Sequence, residues 1–346
     1  MRILVDVSHP AHVHLFRNAI RCWQERGDEV KITAREKEVL VGLLQCYGLE
    51  FEVISRERKG LVGQGRELIE RDWRLWRVAR RFRPDFLIGT SPSAAHVSRL
   101  VRGTSVFFCE DDRDAVPLQA AISYPFAHWI CTPDSLEETY GRKHVKHPSY
   151  HELAYLHPNH FAPDPGIRQE LGVGEDTPYF VLRFVGLHAH HDAGERGLAH
   201  DMKVRLLELL RGHGPVFITS ETPLVPPFED HRIVLPPHRL HHILAGAALV
   251  VSDSQTVTAE AAVLGTPSVR CNTFVGRLSY LEELEHRYGL ARGFLPEQAG
   301  ELYRVAEQWL ADPALRERFA ERRQTMLADK CDLTQWIVDL LDGLQR

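Results

Sequence analysis

Short apolar runs alternate with longer amphipathic stretches through the first half of the chain. The apolar runs, which are typical of strands, span residues 3–5, 30–33, 51–54, 86–89 and 105–108. Between them, the spacing of apolar residues predicts three long helices, over 13–26, 36–47 and 67–82. This alternation predicts a parallel sheet with helices on both faces.

The stretch 144–165 is rich in proline and histidine, and we expect it to be a linker or an irregular edge. After it the alternation returns, with strands predicted at 179–184, 215–219, 232–235 and 247–251 and helices at 201–211, 239–245 and along 302–344. The pattern predicts an α/β protein with two doubly wound, Rossmann-like domains, 1–160 and 161–325, and a C-terminal helix at 326–346 that can pack back on the first domain. In such folds ligands bind at the carboxyl ends of the strands, and we expect the site in a cleft between the domains.

Residues 249–268, LVVSDSQTVTAEAAVLGTPS, combine a buried strand, a polar turn and a helix start. Ser254 can cap a helix whose first turn is Gln255-Thr256-Val257, and Gly265 with Pro267 ends that helix. A helix that begins at the carboxyl end of a parallel strand presents free N–H groups and favours an anion such as phosphate. An ordinary capped helix gives the same pattern, so both interpretations stay open here.

The composition of the 346 residues, 44% hydrophobic and 26% charged, is typical of a globular protein with two domains. No apolar stretch approaches the roughly 20 residues of a membrane span, and the start, MRILVDVSHP, predicts a first strand rather than a signal peptide. The six cysteines are scattered without a CxxC pair, which argues against a disulfide framework or a cysteine zinc site. We therefore expect a cytoplasmic protein.

The net charge of −5 argues against a nucleic-acid partner, but the charge is unevenly distributed. Residues 1–150 carry +3 and the remainder −8, and the basic excess lies in 56–83. There the predicted helix 66–84 mixes Trp73 and Trp76 with seven arginines. This composition suits contact with an anionic membrane at its inner face, and it equally suits a helix that packs on the sheet with solvated arginines.

Two segments resemble known enzymes of the GT-B fold. PPHRLHHILAGAALVVSDSQTVTAEAAVLGTPSV (236–269) resembles the C-domain signature of UDP-N-acetylglucosamine 2-epimerases and related glycosyltransferases. RILVDVSHPAHVHLFRNAIRCWQERGDEVKI (2–32) is similar to the first strand, loop and helix of GT-B enzymes such as the peptidoglycan lipid-forming N-acetylglucosaminyltransferase. The whole chain most resembles an uncharacterised GT-B-like family, with SYHELAYLHP and RFVGLHAHHD as landmarks.

For the second domain, the resemblance implies a nucleotide-sugar site. The backbone N–H groups of Ser254, Gln255 and Thr256 would hold the diphosphate, and Glu260 would bind the ribose hydroxyls, unless it is a solvated helix charge. Arg183 would neutralise a phosphate. A histidine-rich loop stands where the epimerases carry His-Arg-x-Glu-Asn, and a purely structural loop remains an alternative; its polar residues are His188, His190, His191 and Asp192.

For the first domain, the loop Ser8-His9-Pro10-Ala11 lacks the glycines that let a backbone wrap a phosphate, so we expect the phosphates on the second domain. SHPAHVH supplies His9, His12 and His14, and His12-Val13 matches the His-Val of the lipid-forming transferase. His12 is therefore a candidate general base for a sugar hydroxyl. Structural or substrate-orienting roles for these histidines, and a metal site, remain alternatives.

The stretch FFCEDDRDAV (107–116) ends a predicted strand in four acids. Asp111 or Asp112 could be the base or could orient a histidine, since carboxylates at a strand's carboxyl end face the ligand site. A solvated run of charges, or a Mg²⁺ site, would give the same pattern.

The resemblance implies a metal-independent glycosyltransferase without a cofactor, acting in cell-surface glycan or glycolipid synthesis. Its donor would be a nucleotide sugar, UDP-linked by resemblance, and its acceptor a glycan or a lipid-linked sugar. An isomerase of the 2-epimerase type, using Asp111, Asp112 and His188, is an alternative. A non-enzymatic nucleotide-sugar binder is another.

Overall fold

The computed structural model describes residues 1–58, 60–185, 196–220 and 223–345. The chain forms two units: Met1–His160 together with Lys330–Arg346, and Phe161–Asp329. Both are built on an all-parallel sheet.

The first unit contains a seven-stranded sheet in the order β3-β2-β1-β4-β5-β6-β7. Its strands are β1 Arg2–Val7, β2 Glu29–Glu36, β3 Phe51–Arg56, β4 Phe86–Gly89, β5 Thr104–Phe108, β6 Trp129–Pro133 and β7 His144–His147. Its helices are α1 Pro10–Glu25, α2 Glu38–Cys46, α3 Gly60–Phe82, α4 Pro92–Ser98, α5 Pro117–Ser123 and α6 Leu153–Leu156, and a last helix near the C-terminus, Leu333–Gln345, belongs to the same unit.

The first helix shows how local sequence sets an element's bounds. α1 begins at Pro10, three residues earlier than the pattern predicts, because the His9 side chain accepts the Ala11 amide and caps the helix. Its apolar face is buried on the sheet, and Gly27 ends the helix with a φ of 88°, a conformation that glycine adopts without strain.

The second unit contains a five-stranded sheet in the order β12-β11-β10-β8-β9. Its strands are β8 Phe180–Phe184, β9 Val216–Ser220, β10 Leu249–Ser252, β11 Ser268–Cys271 and β12 Ala291–Phe294. Its helices are α7 Ile167–Glu170, α8 His200–Arg211, α9 Leu240–Gly246, α10 Gln255–Val263, α11 Ser279–Glu282, α12 Ala299–Leu310 and α13 Leu315–Asp329. The helix Leu333–Gln345 is then α14, which packs on α1 and α6 of the first unit.

Of the two alternatives for the stretch 144–165, the edge is the one that the structure shows. The stretch is not a linker, because it contains β7 and α6; β7 is an edge strand, where polar side chains are tolerated and the apolar alternation is weak. The strand predicted at 232–235 is reduced to an isolated bridge between Ile218 and Arg232. Ile233 and Leu235 are partly buried against the core, but Val234 is 87% exposed, and two prolines, which cannot donate to a strand ladder, follow.

Within the described ranges, no helix is both long and apolar enough to cross a bilayer. The same ranges hold no group of three or more His, Cys, Asp or Glu side chains placed to bind a metal ion.

Candidate functional site

The carboxyl ends of β1 and β4 bring His12 and Thr90 together. These strands are neighbours in the parallel sheet, so the residues that follow them lie at the same edge. The Oγ1 of Thr90 lies 2.7 Å from Nε2 of His12, and the Ser8 amide donates to Nδ1 over 3.3 Å. Both ring nitrogens of His12 therefore already have a polar neighbour.

His12 is neutral at physiological pH. Burial lowers its pKa well below the ordinary value, and the nearby His9, His151 and Arg71 lower it further. A neutral imidazole can accept a proton, which a base requires. The predicted catalytic role of His12 stays a prediction.

His151 is a second buried histidine at this edge, and no motif in the sequence predicts a role for it. It follows β7, and Glu110, which follows β5, places Oε2 3.3 Å from its Nδ1. Burial lowers the pKa of His151 to about 3. Its Nε2 is buried and has no hydrogen-bond partner among the residues that the structure describes. The carboxylate 3.3 Å from one ring nitrogen and the buried second nitrogen make His151 a candidate base.

The acid that meets a histidine is thus Glu110, whereas Asp111 and Asp112 were the predicted candidates. The Asp112 carbonyl accepts the amides of Ala115 and Val116, so this residue opens the turn towards α5. The catalytic assignment of Asp111 and Asp112 stays a prediction.

The segment that carries His151 is held by the C-terminal residues. Trp336 of α14 lies 5.1 Å from the ring of His147, which stacks at 6.0 Å on His151. The Ser149 hydroxyl donates to the Cys331 carbonyl over 2.7 Å, and the Thr334 hydroxyl donates to Ala154 over 2.6 Å. The chain after Lys330 therefore fixes the backbone around His151.

A buried ion pair underlies the His12 side of the site. Arg71 of α3 donates to Asp6 of β1 over 2.7 Å and to the Val7 carbonyl over 3.0 Å. Ser91, just after β4, donates to the same aspartate over 2.6 Å. One arginine of the basic helix thus joins the ends of β1 and β4 rather than facing solvent. Removing either charged partner would leave a buried charge uncompensated.

The other two histidines of SHPAHVH occupy structural positions. His9 is exposed and caps α1. His14 is buried, and its ring stacks on Tyr155 at 5.1 Å. Their predicted role in orienting an acceptor stays a prediction.

In the second unit, the turn Ser252–Ser254 is built as the sequence predicts. The Ser254 hydroxyl accepts the Val257 amide and caps α10. The Ser254 amide donates to Ser252 Oγ over 2.8 Å, and its role in holding a diphosphate stays a prediction. The amides of Gln255 and Thr256 have no acceptor within the described part of the chain, so they remain the donors for an anion.

Asp253, in the middle of the turn, is a feature that sequence reasoning missed. It is 1% exposed and accepts the Val185 amide over 2.7 Å. Burial raises its pKa to about 6, although Lys203, 3.9 Å away, favours the ionised form. A carboxyl that titrates near neutrality beside a helix start is a common feature of functional sites.

Arg183 and Glu260 flank this turn in different ways. Arg183, near the end of β8, pairs in register with Ser252 and donates to the Thr219 hydroxyl over 3.1 Å. Glu260 is 4% exposed, and its Oε1 lies 2.9 Å from Nε2 of His241. The alternative of a solvated helix charge is therefore wrong, because Glu260 is buried and paired. Phosphate and ribose contacts stay predictions.

His188, His190, His191 and Asp192, the predicted residues of the loop after β8, lie outside the described residues.

The fold is similar to those of solved sugar-nucleotide enzymes. The UDP-GlcNAc 2-epimerase from Neisseria meningitidis bound to UDP-GlcNAc matches with a TM-score of 0.60 and 11% identity, over 94% of this chain and 100% of its own. The spinosyn rhamnosyltransferase SpnG complexed with thymidine diphosphate matches with a TM-score of 0.65 and 17% identity, over 100% of both chains. The predicted GT-B fold, with two Rossmann-like parallel-sheet domains, is confirmed.

Sequence relatives identify the family. An uncharacterized protein of the archaeon Methanocaldococcus jannaschii is 21% identical over 281 residues, which cover 78% of this chain and 81% of that protein. The family model described as "Protein of unknown function (DUF354)" matches residues 1–280. The predicted resemblance to an uncharacterised family is confirmed, and the chain belongs to the DUF354 family.

Proposed function

We propose that this protein is a glycosyltransferase that moves a sugar from a nucleotide-sugar donor, UDP-linked in the simplest case, to a glycan or lipid-linked hydroxyl. The observation that carries the proposal is the buried His151–Glu110 pair at the carboxyl edge of the first sheet, in a GT-B fold. Support for the donor class comes from the similar proteins, one bound to UDP-GlcNAc and one complexed with thymidine diphosphate.

Donor binding is assigned to the start of α10. The amides of Gln255 and Thr256 and the positive end of the helix dipole suit a diphosphate, and Arg183 at the end of β8 adds a guanidinium. These groups would stabilise the negative charge that grows on the nucleoside diphosphate as it leaves. Glu260, held by His241, would bind the ribose hydroxyls.

Activation of the acceptor hydroxyl is assigned to His151 and Glu110. His151 accepts the proton of the acceptor hydroxyl on Nε2, and the hydroxyl oxygen attacks the anomeric carbon while the bond to the diphosphate breaks. Glu110 stabilises the imidazolium that forms, because its carboxylate lies 3.3 Å from Nδ1. His12 and Thr90 lie at the same edge of the sheet, and His12 is the second candidate base.

An isomerase of the 2-epimerase type is the second candidate. It is favoured by the similarity to the Neisseria meningitidis epimerase and by the presence of a carboxylate beside a histidine, which elimination and re-addition of the nucleotide would need. A protein that only binds nucleotide sugars is the third.

A thermal-shift screen tests the donor assignment. UDP, thymidine diphosphate and their sugars are added to the protein; a ligand at 100 times its Kd adds about 2.7 kcal/mol to the free energy of unfolding. We expect a shift with a nucleoside diphosphate or its sugar, and none with the free sugar. If no nucleotide shifts the transition, the donor assignment is wrong. A shift without any turnover, whether or not an acceptor is present, would support the third candidate, a protein that only binds nucleotide sugars.

A further inference from the structure

The outward face of α3 carries a row of exposed side chains. Its six members recur at three- and four-residue spacing: Val62, Arg66, Ile69, Trp73, Arg77 and Arg80. At 100° per residue they fall within a sector of about 80°, and they extend over about 27 Å of helix. We call this row the α3 stripe.

The apolar members of the stripe are exposed although the helix is well packed. Val62 and Ile69 are 72% exposed and Trp73 is 52% exposed. The opposite face supplies the core contacts, through Leu75 and Val78. The apolar side chains of the stripe are therefore not part of the domain's core, and in water they cost hydrophobic free energy.

The charge of the stripe has one sign. Its three arginines are exposed, and Arg77 lies over the Trp73 ring at 4.8 Å. The acids on the flanks have partners of their own: Glu70 pairs with Arg58 and Arg74, and Asp72 pairs with His96. The stripe thus has a net charge of +3, with no acid inside it.

We propose that the α3 stripe docks on the surface of an anionic lipid bilayer. A straight row with valine, isoleucine and tryptophan between arginines matches the two requirements of that surface, apolar contact at the acyl boundary and cations at the phosphates. The phosphates of a nucleic acid would bind the arginines, but they would not contact the exposed valine and isoleucine favourably. The inference goes beyond the proposed function, since docking needs neither donor nor acceptor.

Vesicle co-sedimentation tests the proposal. The full-length protein is mixed with vesicles of phosphatidylcholine alone, or with about 30% phosphatidylglycerol, at low salt. We expect binding to the anionic vesicles only, and release at about 0.5 M salt, where the Debye length falls to about 4 Å. Replacing the three arginines, R66Q/R77Q/R80Q, should weaken partitioning on the order of 10²-fold, since each contributes about fivefold.

A matched control removes the same number of positive charges at positions outside the stripe. R102Q/R211Q/R304Q removes three exposed arginines that lie off the stripe, and it should retain most of the binding. The pair I69S/W73S removes apolar contact without changing charge and should weaken binding about tenfold or more. Circular dichroism verifies that every variant is folded.

Three results would overturn the proposal. The first is background sedimentation with anionic vesicles at low salt, and the second is equal loss in the stripe and control triple variants. The third is a change of oligomeric state in I69S/W73S with unchanged vesicle binding, which would make the stripe a contact between protein chains. None of these results depends on nucleotide binding or turnover, so a failed glycosyl-transfer assay leaves this inference standing.

Discussion

Asp253→Asn should stabilise the protein at neutral pH and should do so less in acid. Burial raises the pKa of Asp253 from an ordinary 3.8 to about 6. An acid whose pKa is raised on folding binds protons more tightly in the folded state, so stability rises as the pH falls through about 6 towards 4. Above pH 6 the ionised carboxylate therefore opposes folding, by about 3 kcal/mol for a pKa difference of about 2.2.

Asparagine mimics the protonated acid and keeps an oxygen for the Val185 amide, which Asp253 binds over 2.7 Å. The advantage of the variant over the native protein should therefore grow by about 2 kcal/mol between pH 4.5 and pH 8. Urea unfolding of both proteins across this range measures it, with hydrogen exchange of β10 amides to localise the effect. A pH-independent difference, or one that is larger in acid, would refute the raised pKa of Asp253.

The remaining predictions concern other carboxylates and the histidines. Asp332→Asn should destabilise the protein at neutral pH. Burial acts to raise the pKa of Asp332, but hydrogen bonds from His160 and Asn159 dominate and lower it to about 2. The native protein should therefore be more stable than the variant in urea unfolding, and it should lose this advantage only as the pH falls from about 4 towards 2. Glu260→Gln, which keeps an acceptor for its histidine, should weaken UDP binding by roughly 1.5–3 kcal/mol in calorimetry, and an unchanged Kd would remove the ribose assignment. His151→Ala should lower turnover about 10²–10⁴-fold with a near-normal donor Kd, whereas His9→Ala, which loses the α1 cap, should lower stability.

The parts of the site that the sequence predicts are those built by consecutive residues. The turn before α10 is one, because strand, cap and helix start follow each other within ten positions and each leaves a local signature. Within it, the hydrogen bond from the Ser254 amide to the Ser252 hydroxyl is not predicted, because nothing in the pattern distinguishes a hydroxyl that folds back from one that faces a ligand.

The parts that the sequence does not predict are brought together by the sheet. Glu110 and His151 are 41 positions apart and meet because β5 and β7 lie on either side of β6. β7 itself is an edge strand with weak alternation, so the segment that precedes His151 looked like a linker. The burial of Asp253 has the same origin, because its partner Val185 follows a different strand.

Product analysis by mass spectrometry tests the central claim most directly. The protein is incubated with the donor found in the thermal-shift screen, with and without a panel of glycan and lipid-linked acceptors, and products are compared with those of His151→Ala. The account predicts a glycosylated acceptor and free nucleoside diphosphate in equal amounts, both reduced about 10²–10⁴-fold in the variant. A nucleotide sugar that is isomerised in the absence of any acceptor, with the nucleotide still attached, would contradict it and establish the epimerase instead.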